Sequence, residues 1–171
     1  LTPAARDAGT GLLNKRAWTE YTIEQLNCKD HSTRWLVIID IDDFKHINDG
    51  LGHQYGDVLL KSISHSLQRI PEIHNTCYRM GGDEFVIVIP PDSYSRFENI
   101  VEDIKKIFSK PWFLKDADYY CTMSMGIVTF PDAGDSVADL IKKADIAMYE
   151  AKKTGKNRVA TYREGIDSVS G

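Results

Sequence analysis

Short apolar runs alternate along the chain with longer stretches in which apolar residues recur every third or fourth position, a pattern that predicts strands interleaved with amphipathic helices. Trp35-Leu36-Val37-Ile38-Ile39 and Phe85-Val86-Ile87-Val88-Ile89 are rich in β-branched residues and bounded by polar residues or proline, as buried strands are. Met123 to Phe130 and Arg158 to Tyr162 predict further strands. Val58, Leu59, Ile63, Leu67 and Ile70 line one face of a helix, as do Phe97, Ile100, Val101, Ile104 and Phe108. Another helix opens on the capping pattern Ser136-Val137-Ala138-Asp139, carries Leu140, Ile141, Ala144, Met148 and Ala151, and stops near Gly155. An earlier helix after Asn14 carries Ala17, Trp18 and Tyr21.

The predicted order is helix, strand, helix, strand, tight turn, strand, helix, strand, helix, strand. Gly81-Gly82 joins two strands as a hairpin, because paired glycines supply the positive φ angles of a two-residue turn. Helices between the other strands predict parallel neighbours. The fold class is therefore α+β, an α/β sandwich with a mixed central sheet covered by helices. No internal repeat, low-complexity stretch or interdomain linker interrupts it.

Composition narrows the function. The 171 residues suffice for one self-supporting core. A net charge of -4 argues against sequence-independent nucleic-acid binding, which needs a basic face. Cys28, Cys77 and Cys121 are too dispersed for a disulfide framework or zinc site, and predict reduced thiols in a reducing, cytoplasmic compartment. No apolar run is long enough to span a bilayer, so no membrane contact is expected of this segment. A start at Leu1-Thr2-Pro3 and a polar tail at 166–171 are expected of a piece of a longer protein, with one domain over 1–165.

Two acid clusters stand at strand ends, Asp40-Ile41-Asp42-Asp43 and Asp83-Glu84. If those strands are neighbours, Asp40 and Asp83 converge, and two hard carboxylates with a backbone carbonyl suit Mg²⁺, which keeps water and substrate phosphates in its remaining positions. Either cluster alone reads as solvated turn residues. An EF-hand is excluded, since Phe44 stands where that loop needs a ligand and Lys45 where it needs glycine.

Arg79-Met80-Gly81-Gly82-Asp83-Glu84-Phe85 resembles the signature of the GGDEF family of diguanylate cyclases. It is accompanied in order by Thr10-Gly11-Leu12-Leu13-Asn14, by Asp40 through Asp49, by Gly52-His53-Gln54-Tyr55-Gly56-Asp57 and by Ala144 through Asn157, so the resemblance covers about residues 7 to 162. It implies a fold similar to nucleotide cyclase and polymerase palm domains. It also implies condensation of two GTP into cyclic di-GMP with release of two pyrophosphates, in a two-fold homodimer fused to sensor or phosphodiesterase domains. The implied metal, Mg²⁺ or Mn²⁺, is held by Asp40, Asp83 and the carbonyl of Ile41. Glu84 either joins the metal, deprotonates the attacking hydroxyl, or is only a charge at the hairpin edge.

Asn48 and Asp57 match the guanine contacts, and a carboxylate accepting from N1-H and the 2-amino group would reject adenine. Their structural alternatives are a turn cap at Asn48 and a helix cap at Asp57. Phosphate contacts match Lys45, the amides of Asp43 and Phe44, and Lys152 and Lys156, with Gly82 beside substrate. The last two lysines also suit a helix C-terminus whatever the function. Three departures stand out. Lys156 replaces a frequent arginine, and Gly9 replaces a frequent leucine. Glu72-Ile73-His74-Asn75 stands where many members have the Arg-x-x-Asp product site, so product inhibition there is expected to be absent. His46 and His53 are expected to be surface residues. Two other functions compete: a noncatalytic GTP-binding module that regulates an adjacent domain, and a nucleotidyl transferase with another product.

Overall fold

The computed structural model describes residues 5–132, 134 and 136–162; the tail expected at 166–171 lies outside them. The described elements are β1 (Leu13–Asn14), α1 (Lys15–Asn27), β2 (Arg34–Ile41), α2 (Phe44–Leu51), α3 (His53–Gln68), β3 (Cys77–Gly81), β4 (Glu84–Ile89), α4 (Phe97–Phe108), β5 (Trp112–Leu114), β6 (Ala117–Tyr119), β7 (Met123–Phe130), α5 (Val137–Lys153) and β8 (Val159–Thr161). Six strands form one sheet in the order β1-β3-β4-β2-β7-β8, and β5 and β6 pair separately.

The sheet is mixed, as the chain pattern predicts. Its four central strands are antiparallel neighbours, and only the edge pairs β1/β3 and β7/β8 are parallel. The expectation of parallel neighbours across each helix holds for β7-α5-β8. Elsewhere another strand is inserted: β4 lies between β2 and β3, and β2 between β4 and β7.

Strand β2 is apolar on both faces because both are covered. Val37, Ile39 and Ile41 pack with Leu59, Ile63 and Leu67 of α3 and Ile100 and Ile104 of α4. Leu36 and Ile38 pack with Trp18 of α1 and Leu140, Ala144 and Met148 of α5. Side chains alternate along a strand, so Asp40 follows Leu36 and Ile38 onto the α1/α5 face.

Local chemistry fixes the helix ends. Asn14 Oδ1 accepts from the Ala17 amide to start α1, and Ser136 Oγ accepts from the Asp139 amide to start α5. Helix α5 ends where Gly155 takes φ 135° and the Lys156 amide donates back to the Ala151 carbonyl. Helix α5 also lies very close to the sheet at Gly126 of β7, where a Cβ would fall 2.6 Å from the Met148 nitrogen and 2.7 Å from the Ala144 oxygen.

Helix α3 begins at His53, earlier than Val58, and ends at Gln68, before Ile70. Besides two 3-10 turns, Pro71–Ile73 and Pro91–Arg96, three short elements were not predicted. Helix α2 offers only Phe44, Ile47 and Leu51 over two turns, and β1 and the β5-β6 hairpin span two or three residues per strand, too few to establish a period.

Candidate active site

The hairpin differs by one residue from the predicted turn. Gly81 pairs with Glu84, so the two loop residues are Gly82 and Asp83 rather than Gly81 and Gly82. The shift comes from a register irregularity between Arg79 and Gly81. Both glycines still have positive φ, 143° at Gly81 and 54° at Gly82, values that side-chain-bearing residues rarely adopt.

Arg79 secures this loop. Its Nη2 and Nε donate to the Gly82 carbonyl at 2.8 and 3.2 Å, and its Nη1 donates to Asp7 Oδ2 at 2.9 Å. Burial pushes the Asp7 carboxyl upward, but hydrogen bonds from Thr10 and Arg79 together with the Arg79 charge outweigh it and leave Asp7 below the usual range. At the atypical Gly9, a Cβ would stand 3.1 Å from Arg79 Nη1, so the bare glycine gives the guanidinium room. Arg79 thus links the N-terminal turn to the signature loop. Arg79→Ala is expected to lower turnover about tenfold with little change in GTP affinity, measurable from initial rates across GTP concentration; a tenfold rate loss is about 1.4 kcal/mol of transition-state stabilisation.

The two acid clusters do converge. Asp40 of β2 and Glu84 of β4 are cross-strand partners, and the Ile41 amide donates to the Asp83 carbonyl at 3.2 Å, drawing the loop onto the end of β2. Burial raises the Asp83 carboxyl, and the nearby Asp40 carboxyl raises it further. Glu84 is raised by burial and then by the charges of Asp145, Asp40 and Asp83. Asp40 Oδ2 accepts from Lys152 Nζ, whereas Asp40 Oδ1 is buried without a hydrogen-bond partner.

An orphaned buried carboxylate oxygen beside a second carboxylate fits a divalent cation. Among the described residues no group of three His, Cys, Asp or Glu side chains is arranged to hold a metal ion. Two carboxylates with a main-chain oxygen would suit Mg²⁺, which keeps waters in its remaining positions.

Asp145 carried no assigned role in the sequence, yet it lines a cleft of about 390 Å³ with Asp40, Asp83, Glu84, Lys15 and Ile141. The spacing Ile141, Asp145, Met148, Lys152 was the available signal, since it places all four on one stripe of a helix. Asp42 was also missed. It is 5% exposed and accepts from Ser124 Oγ at 2.6 Å, Thr122 Oγ1 at 2.7 Å and the Asn157 amide at 2.9 Å, a structural carboxylate joining β2, β7 and the turn after α5.

Of the residues matched to nucleotide contacts, Phe44, Lys45 and Asn48 lie on α2, Asp57 on α3 and Lys152 on α5. Asp43 takes a left-handed conformation, φ 56°, and reverses the chain into α2, whose first turn holds buried Phe44 and exposed Lys45. Asp43 Oδ1 accepts from Lys156 Nζ at 2.8 Å; that bond holds Asp43 below the usual carboxylate range and raises Lys156. Lys152 and Lys156 therefore have partners far away in sequence, beyond any effect of their own helix end.

Asn48 lies within α2 rather than capping a turn with its side chain, and Asp57 lies in the second turn of α3 rather than at its cap, which is Gly52. Asn48 rests against Gly56, where a Cβ would fall 1.8 Å from Asn48 Oδ1, and exposed Asp57 follows directly. Gly56→Ala is expected to displace Asn48 and weaken GTP binding about tenfold, with unfolding free energy reduced by about 1–2 kcal/mol; calorimetric titration with GTP and urea denaturation check both. In the segment Glu72-Ile73-His74-Asn75, Glu72 Oε2 accepts from Arg96 Nε at 2.7 Å, an acid holding a neighbouring cation. Cyclic di-GMP titrated onto this chain is expected to show no tight binding that survives Asp40→Asn with Asp83→Asn.

Residues 4–158 match the family model described as "Diguanylate cyclase, GGDEF domain". The chain belongs to the GGDEF family. It is 37% identical over 153 residues to the biofilm architecture maintenance protein MbaA of Vibrio cholerae, covering 83% of this chain and 19% of that protein. It is 30% identical over 167 residues to a diguanylate cyclase of the same species, covering 96% and 51%. The chain thus spans between 19% and 51% of these relatives' length. Among solved structures, the GGDEF domain of TpbB (YfiN) from Pseudomonas aeruginosa superposes with a TM-score of 0.84 at 26% identity, covering 96% of this chain and 98% of that one. The GGDEF domain of Caulobacter crescentus DgcB, in complex with c-di-GMP, gives 0.81 at 27% identity over 94% of each. These GGDEF structures share the mixed sheet and its helices.

Proposed function

We propose that this GGDEF chain is a diguanylate cyclase that condenses two GTP into cyclic di-GMP and two pyrophosphates at the interface of a two-fold homodimer in the cytoplasm. The observation that carries this reading is the convergence of Asp40 and Asp83 at the end of β2, with Asp40 Oδ1 buried and unpaired. The fold and the relative named diguanylate cyclase support it.

In this mechanism Asp40, Asp83 and the Ile41 carbonyl would hold Mg²⁺ or Mn²⁺, and the ion would offset the charge that builds on the reacting phosphate. Asn48 and Asp57 take the guanine edge. Lys45, the amides of Asp43 and Phe44, Lys152 and Lys156 hold the phosphates, with Gly82 close to substrate. Glu84 accepts the proton of the attacking 3′-hydroxyl at a carboxylate oxygen, since a carboxylate raised by burial and flanking acids is a stronger base. The 3′-oxygen then forms its bond to the α-phosphorus of the partner's nucleotide as the bond to pyrophosphate breaks, and the symmetric repeat closes the ring.

A regulatory reading, in which the same pocket binds GTP and controls an adjacent domain, is kept because the chain is also 31% identical over 159 residues to 24% of an Escherichia coli protein named for phosphodiesterase rather than cyclase activity, PdeR. Incubating the purified chain at high concentration with GTP and Mg²⁺ or Mn²⁺ and separating the nucleotides by chromatography decides between them. Cyclic di-GMP and pyrophosphate are the expected products. GTP binding without product would establish the regulatory reading, and a different product would establish another nucleotidyl transferase.

A further inference from the structure

Lys152 occupies an unusual position for a lysine assigned to phosphate. From the last turn of α5 its ammonium reaches Asp40, 112 residues away, and donates to one carboxylate oxygen while the other stays buried and unpaired. The Asp40 side chain is only 13% exposed, so solvent screens this pair poorly. Lys156 offers a comparison within the same molecule, because its partner Asp43 is 58% exposed and their contact is worth little. The Lys152 side chain itself is 39% exposed and sits on a flexible stem, so it can leave Asp40 without moving α5.

We propose that Lys152 competes with the divalent metal for Asp40 and yields only when triphosphate oxygens offer the ammonium a new partner, so that metal and GTP bind as a coupled pair and metal alone binds weakly. The proposal rests on the reading of Asp40 and Asp83 as metal ligands. Its physical basis is that an ammonium and a divalent ion sharing one mostly buried carboxylate would repel each other at short range, and water screens little of that repulsion there. An anionic triphosphate removes the conflict by accepting Lys152 and contributing oxygens to the ion. Lys152 then serves first as a counterion to Asp40 and afterwards as a phosphate ligand, with the exchange set by whether nucleotide is present. Coupling between two ligands in one site commonly amounts to a 5- to 150-fold change in affinity, and about tenfold is expected here.

Mn²⁺ binding to the whole chain, followed by the electron paramagnetic resonance signal of free Mn²⁺, tests this with and without 3′-deoxy-GTP, which lacks the attacking hydroxyl. Lys152→Met is expected to bind Mn²⁺ alone about tenfold more tightly than the native chain and to lose most of the enhancement by nucleotide. Lys152→Arg keeps a cation at Asp40 and should keep metal affinity low. Lys156→Met should weaken nucleotide binding and leave Mn²⁺ binding alone unchanged. Equal or weaker Mn²⁺ binding by Lys152→Met, with native circular dichroism, would overturn the proposal. Should Asp40→Asn and Asp83→Asn fail to weaken Mn²⁺ binding in the presence of 3′-deoxy-GTP, the metal-site reading fails with it, an outcome distinct from the first.

Discussion

Asp83→Asn is expected to reduce cyclic di-GMP formation by about a thousandfold while making the metal-free domain slightly more stable. The rate loss follows from the role proposed for Asp83 as one of two carboxylates that would hold the ion offsetting phosphate charge, and its size matches the loss of a preorganised electrostatic contact. The stability gain follows from the direction in which Asp83 is shifted. Burial and the Asp40 carboxyl raise its pKa above the usual 3.8. Between the ordinary carboxylate pKa and that raised value, the folded chain binds the proton more tightly than the unfolded chain does. The favourable contribution is therefore complete below the ordinary value and is lost as pH rises through the raised one. At pH above that raised value the native carboxylate is ionised at a cost that asparagine does not bear. Because Asp83 is only half-buried, solvent reduces the effect, and a rise of about 1–2 °C in melting temperature is expected in chelator at pH 7. Melting curves with EDTA at pH 7 and pH 4 check this: the gap between variant and native chain should shrink at the lower pH. A variant that lost activity together with several degrees of stability would instead mark Asp83 as a structural residue.

Gly126→Ala carries the largest expected stability loss. The new Cβ would meet backbone atoms of α5, the Met148 nitrogen and the Ala144 oxygen, and backbone cannot turn aside as a flexible side chain can. Helix α5 must lift off β7, opening packing around the fully buried Ala144 and Leu140. A loss of about 3 kcal/mol is expected, at the upper end for overpacking, with a melting temperature lower by about 6–10 °C. Urea denaturation followed by circular dichroism measures it. The same displacement would draw Asp145 and Lys152 away from the carboxylates, so the folded fraction should also turn over more slowly. An unchanged rate per folded molecule would show that the position of α5 matters only to stability.

The sequence carried most of the frame because its signals were strong and local. Runs at Val37 to Ile39 and Phe85 to Ile89 could be buried only as two-sided strands, and the acids that follow one and precede the other had to meet once those strands paired. Gly81-Gly82 announced a tight turn but not its register, since either glycine tolerates positive φ and only the pairing of Gly81 with Glu84 places Asp83 in the loop. Helix α2 escaped detection because two turns carry too few apolar residues for a period to emerge. The contacts of Lys152 with Asp40 and of Asp42 with Ser124 and Asn157 depend on how β2, β7 and α5 stack in space, which no local spacing encodes. Asp145 was legible in principle from its helical stripe with Lys152, but an acid on an exposed helix face has many ordinary explanations.

Asp42 has a practical consequence for anyone who grafts or excises this domain. Its buried carboxylate draws one donor from beyond α5, the Asn157 amide, as well as two hydroxyls from the start of β7. A cut placed at the apparent end of the last long helix would remove that donor and the edge strand β8 with it, leaving a buried carboxylate short of one hydrogen bond. A cut anywhere before Tyr162 would also cost the bond from its amide to the Ile127 carbonyl at 2.7 Å, which ties the chain after β8 to β7.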